Sequence, residues 1–138
     1  MTQSNDAAGA KSPRNDEVAE WLSKAEDDLR VAERIASWDD LPQFDAIAFH
    51  CQQSIEKLMK AALLSRGVVP PKVHDLPELL RRLESSGLAW DWPMTDLRTL
   101  TMAAVHARYP GFRVTSEQAF INLALTKAIW ASLRPRIV

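Results

Sequence analysis

Apolar residues in this 138-residue chain recur at steps of three and four, the mark of helices that turn one face inward. Val18, Trp21, Leu22, Ala25, Leu29 and Ala32 keep that step and predict a first amphipathic helix of about 20 residues. Asn15 or Asp16 is placed to cap it, and the acids of its first turn suit the helix dipole. The segment "SWDDLP" breaks the pattern, and Pro42 can open a second helix that runs to Ser65. On that helix Ala48, Cys51, Ile55, Leu58, Met59 and Ala62 share a face at about 100° per residue. His50, Gln53, Glu56, Lys57 and Lys60 lie broadly opposite, with Glu56 and Lys60 an i, i+4 pair. His50, Lys57 and Lys60 read as solvated surface, and Gln53, Glu56 and Lys57 as organisers of polar contacts at the bundle's edge or a dimer seam. Phe49 and Leu64 fall toward that polar side, where they leave apolar surface for a partner helix.

Gly67 suits the end of the second helix, "VVPP" enforces an extended connector, and Asp75 is the expected cap of a short third helix with Pro77 in its opening turn. "SSGLAWDWP" interrupts again, its two tryptophans closing one end of the core. A fourth helix is expected from Met94 to His106, terminated by "RYPG". A fifth starts near Ser116 with Glu117 in its first turn and carries Ala119, Phe120, Leu123, Lys127, Trp130 and Leu133. Alternating β-branched stretches are missing, so the fold class is all-α: an antiparallel up-and-down bundle of about five helices. The organisation is a disordered tail over residues 1–15 and one domain over 16–138.

Composition changes little: 46% hydrophobic and 25% charged residues are ordinary globular values. Apolar runs fall short of the roughly 20 residues that cross a bilayer, so no membrane contact is expected. The lone Cys51 points to a reduced, cytoplasmic chain. A net charge of −1 argues against a generic nucleic-acid coat, but its distribution is uneven. Ten acids face Lys24, Arg30 and Arg34 between Asp16 and Asp45, whereas from His106 to Val138 five cations face Glu117 alone. That imbalance can steer an anionic ligand, or can simply be the mixed faces of surface helices.

Candidate chemistry is sparse. A glycine-rich phosphate loop is lacking, and Cys51, His50, His74 and His106 have no metal-ligand spacing, so neither a metal nor another cofactor is expected. Cys51 with its neighbour His50 makes a poor nucleophile pair, because adjacent helical residues diverge by about 100°. At "HARYPG", His106 and Arg108 suit the negative end of a helix and Pro110–Gly111 turns the chain. The same residues can form a clamp in which Arg108 and Arg113 hold a phosphate and Tyr109 stacks on a base. Lys72 and His74 stand on a loop at another helix end and complete the candidate nucleotide or RNA set, although "KVHD" also reads as a local turn.

Three segments, "WLSKAEDDLRVAERI", "FHCQQSIEKLMKAALLSRGVVPPKVHDLPELL" and "ARYPG" followed by a helix, together resemble the HEPN domain family. The second is the most specific, with its His-x-Gln-Gln-x-x-Glu-Lys, Lys-Ala, Gly, Pro and His-Asp-Leu in order. The resemblance is strongest to small prokaryotic members paired with a minimal nucleotidyltransferase in toxin–antitoxin arrangements. It implies a helical bundle that is usually dimeric. Many members are metal-independent endoribonucleases whose site pairs an Arg with a His four to six residues later. In such a site imidazole moves the 2′-hydroxyl proton and guanidinium stabilises phosphate charge. Here Arg98 precedes His106 with seven residues between them, "TLTMAAV", a rise of about 12 Å on a helix. That interval counts against catalysis by His106 with Arg98 or Arg108. The resemblance also implies a possible nucleotidylated tyrosine near the His, here Tyr109. The expected function is a dimeric binding and regulatory module with a nucleotidyltransferase partner and a nucleotide or RNA ligand. A ribonuclease toxin and a non-catalytic helical scaffold are the alternatives.

Overall fold

The computed structural model of the protein describes residues 13–38, 40 and 43–138. Five α-helices follow one another, with no strand among the described residues: α1 Pro13–Ala36, α2 Phe44–Ser65, α3 Leu76–Ser85, α4 Met94–Arg108 and α5 Ser116–Leu133, the last continued by a 3₁₀ turn, Arg134–Arg136. The all-α bundle expected from periodicity is therefore the observed fold. Most of the expected tail, like Pro42, lies outside the described residues, but its last positions are helical. Asn15 and Asp16 are thus not caps, and Asp16 sits inside the first turn.

The second helix organises everything else, because α2 packs against α1, α3, α4 and α5, most extensively against α1. Ala48, Cys51, Ile55, Leu58, Met59 and Ala62 are buried as the pattern required. On the opposite face Glu56 does organise polar contacts, but Lys60 is not the solvated surface expected of it. Glu56 and Lys60 are as enclosed as the apolar residues, at 4% and 5% exposure, and Gln52 is buried beside them. A helix surrounded by four others has no solvated side over much of its length. Leu64 is buried too and Phe49 is half-buried, edge-on to His50, so neither forms the free apolar partner surface the sequence indicated.

The helix ends are fixed by local chemistry. Gly67, at φ +83°, supplies the left-handed turn that closes α2. Asp75 holds the expected N-cap position of α3 without a side-chain capping bond, and the Leu76 N–H is taken by Thr101 Oγ1 at 3.2 Å. Thr115 caps α5 through a reciprocal pair: its hydroxyl accepts from the Gln118 N–H, and the Gln118 side chain accepts from the Thr115 N–H. Trp90, buried and stacked on Trp92 at 5.8 Å, closes one end of the core and donates to Ser132 Oγ. Trp130 Nε1 donates to Ser54 Oγ, which donates to the Ala25 carbonyl, so one hydroxyl pins α5, α2 and α1 together. No helix among the described residues is long and apolar enough to cross a membrane.

Candidate functional site

Polar residues fall into two kinds of surroundings. On the α1 side of α2 they close on one another. The Glu56 carboxylate accepts from Lys60 Nζ at 3.0 Å, His74 Nδ1 at 2.9 Å and Gln52 Nε2 at 3.1 Å, while the Trp21 ring lies 5.8 Å from the Lys60 ammonium. Burial alone would raise the Glu56 carboxyl, but the hydrogen bonds from His74, Gln52 and Lys60 together outweigh it and hold the group below the usual carboxylate range. Gln52 also donates to the His74 carbonyl at 2.9 Å, which ties the Pro-rich connector to α2. A second cluster forms on Asp28 of α1, whose carboxylate accepts from His50 Nδ1 at 2.8 Å and Lys57 Nζ at 2.6 Å. His50, Glu56, Lys57 and Lys60 are therefore occupied within the chain. Cys51 is inert for a different reason: burial pushes its thiol up to about 11, against the opposing effect of a hydrogen bond with Thr126.

The α4–α5 side is open. Along α4, Arg98, Thr99, Met102, Ala103 and His106 form one stripe, and Val114, Gln118, Ile121 and Asn122 face it across a cleft of about 390 Å³. Arg98 and His106 thus share a single cleft despite their wide interval, because the cleft runs lengthwise along the helix. Asn122 is 1% exposed, and neither atom of its side-chain amide has a hydrogen-bond partner. A buried polar group left unpaired costs about 1–3 kcal/mol, which sets Asn122 apart from every other buried polar residue described. The sequence reading did not single it out. Its signal was available: one amide inside the otherwise apolar run "FINLAL".

A second cleft, of about 580 Å³, lies around the turn that ends α4, lined by Asp45 and residues 107–113. Tyr109 takes the extended conformation imposed by the proline after it, and Gly111, at φ +90°, reverses the chain. Asp45 Oδ1 accepts the Val114 N–H at 2.7 Å and fastens this turn to the start of α2. Phe112 folds back so that its ring stacks on His106, centroids 4.6 Å apart and planes 6° from parallel. Arg108, Tyr109 and Arg113, three of the five residues expected to bind nucleotide, consequently share one cleft with exposed side chains. Lys72 and His74 do not join them. They stand on the α2–α3 connector, where His74 is engaged by Glu56. No group of three His, Cys, Asp or Glu residues able to hold a metal occurs among the described residues.

The HEPN domain model matches residues 18–134 of this chain. The chain belongs to the HEPN family. No curated protein sequence matches it. Among solved structures, this HEPN protein is similar to TT1696 from Thermus thermophilus, at 24% identity with a TM-score of 0.71. That alignment covers 86% of this chain and 97% of the other, and the likeness is one of fold.

Proposed function

We propose that this HEPN protein is a binding and regulatory module that engages a phosphate-bearing ligand, a nucleotide or an RNA end, at the turn after α4. The observation that carries the reading is the gathering of Arg108, Tyr109 and Arg113 around one open cleft. Two guanidiniums can make charge-assisted bonds to phosphate while the exposed phenol ring stacks on a base. Calorimetry with ATP, AMP and a short RNA tests it. Arg108→Ala is expected to weaken binding by roughly 1.5–3 kcal/mol, the range for a hydrogen bond to a charged group. Absence of binding by the unmodified protein leaves the scaffold reading in its place.

The same reading includes a homodimer and a nucleotidyltransferase partner in a cytoplasmic toxin–antitoxin arrangement. Exposed Met102, Phe112, Phe120 and Ile121 support self-association, since they concentrate apolar surface along α4, α5 and the turn between them. Sedimentation at micromolar concentration is expected to give twice 15.5 kDa, and a monomer across that range removes the dimer. The nucleotidyltransferase partner is supported by the family resemblance, and co-purification from the native host tests it.

A ribonuclease reading is favoured by one observation, the shared cleft of Arg98 and His106. His106 would move the proton, and Arg98 or Arg108 would hold the phosphate. Incubation with total RNA in EDTA, beside His106→Ala, decides it: cleavage abolished by the substitution makes the protein a nuclease. Intact-mass measurement comes first, because nucleotidylation of Tyr109 would silence such an activity.

A further inference from the structure

We propose that the cleft between α4 and α5 seats a nucleobase, read by the Asn122 amide. This rests on the nucleotide-binding reading and assigns the base to a cleft of its own beside the phosphate-holding turn. The unpaired amide asks for a ligand of one particular kind. Its Nδ2 needs an acceptor and its Oδ1 a donor, side by side in one plane. The edge of a nucleobase offers that pair, whereas an aliphatic occupant leaves both atoms as they are. The remaining wall suits a flat heterocycle, with Met102, Ala103, Val114 and Ile121 as its apolar surface. Asn122 lines this cleft although it is only 1% exposed, so a base reaches the amide when lining side chains move. Exposed, unbranched Met102 and Gln118 line the same cleft and can swing aside.

The two clefts meet at one partition. His106 lines the first and Phe112 the second, and their rings lie face to face at 4.6 Å. His106 and Val114 bound the base cleft, while residues 107–113 between them bound the phosphate cleft. A nucleotide crossing the edge of this stack places its base against Asn122 and its phosphate among Arg108 and Arg113.

Calorimetry with AMP and with ribose 5-phosphate, which lacks the base, separates the two clefts. The unmodified protein is expected to bind AMP about tenfold more tightly than ribose 5-phosphate, the increment of one paired amide. Asn122→Leu, close in volume and free of the unpaired amide, is expected to raise the melting temperature and bring AMP down to the ribose 5-phosphate level. Ile121→Trp fills the cleft from an exposed position and is expected to remove the same increment while sedimenting as the parent protein does, so the test depends neither on one variant folding nor on self-association. Equal affinity for the two ligands overturns the base site while leaving the phosphate clamp standing. Failure to bind either ligand overturns both. A leucine variant that keeps the full AMP preference also overturns the base site, and if it melts lower than the parent protein it makes Asn122 the host of a buried water.

Discussion

The two flanks of α2 handle polar groups in opposite ways. Toward α1 and the Pro-rich connector, Glu56, Lys60 and Gln52 satisfy one another out of solvent with exposed His74 closing the cluster, and Asp28 pairs with half-buried His50 and Lys57. Toward α4 and α5, Asn122 is buried without a partner, Arg98, Arg108 and Arg113 are exposed, and four large apolar side chains face outward. α1 and α2 touch along much of their length, whereas α4 and α5 meet only briefly and leave a cleft. Charges that answer each other within the chain hold helices in place. Groups left unanswered are where an outside molecule can bind, while the family's most recognisable motif, on α2, is taken up by contacts within the chain.

The largest effect is expected on the closed flank. Glu56→Ala leaves the Lys60 ammonium enclosed without its counter-charge and is expected to cost about 3–5 kcal/mol in denaturant unfolding. The double variant Glu56→Leu with Lys60→Met is expected to recover most of that loss. If the single variant unfolds like the parent protein, the two flanks do not differ as described. The same carboxylate carries a pH signature. Its folded pKa lies below the ordinary value of 4.5, so its contribution is fully present above that value and is lost as pH falls through the folded pKa. Glu56→Gln is expected to flatten the acid limb of a stability–pH curve.

On the open flank, Thr115→Ala removes the hydroxyl that caps α5 and is expected to cost about 1 kcal/mol, read as a modest fall in melting temperature. The smallest change is expected for Glu26→Ala. Its partner Arg30 is solvent-exposed, and loss of such an i, i+4 pair is expected to shift stability by less than about 0.5 kcal/mol. An exposed pair that matched the buried one would erase the contrast between enclosed and surface charge.

Helix number, order and most boundaries were legible because they depend on periodicity and punctuation, both local properties. The end of α2 at Ser65 follows from Gly67, and the start of α5 at Ser116 agrees with Glu117 in its first turn. What surrounds a helix is not local. Glu56 and Lys60 have the spacing of an ordinary surface pair, and nothing along the sequence counts the four helices packed around α2. Arg98 and His106 were judged by their separation on an isolated helix, whereas a cleft that runs with the helix axis lets both reach one space. Arg108, Tyr109 and Arg113 fall together because they lie within one turn, whereas Lys72 and His74 share with them only a place on a loop at a helix end, and that loop is a different one.

The central position of α2 also bears on how the chain is made. α2 lies second among the described helices, so α1 can pair with it while the ribosome is still producing the rest. Its other neighbours, α3, α4 and α5, arrive later, and until α5 emerges the strip containing Ser54 waits for Trp130. A nascent chain halted before that point exposes apolar surface belonging to the finished core, the condition under which chaperones engage and truncated products aggregate.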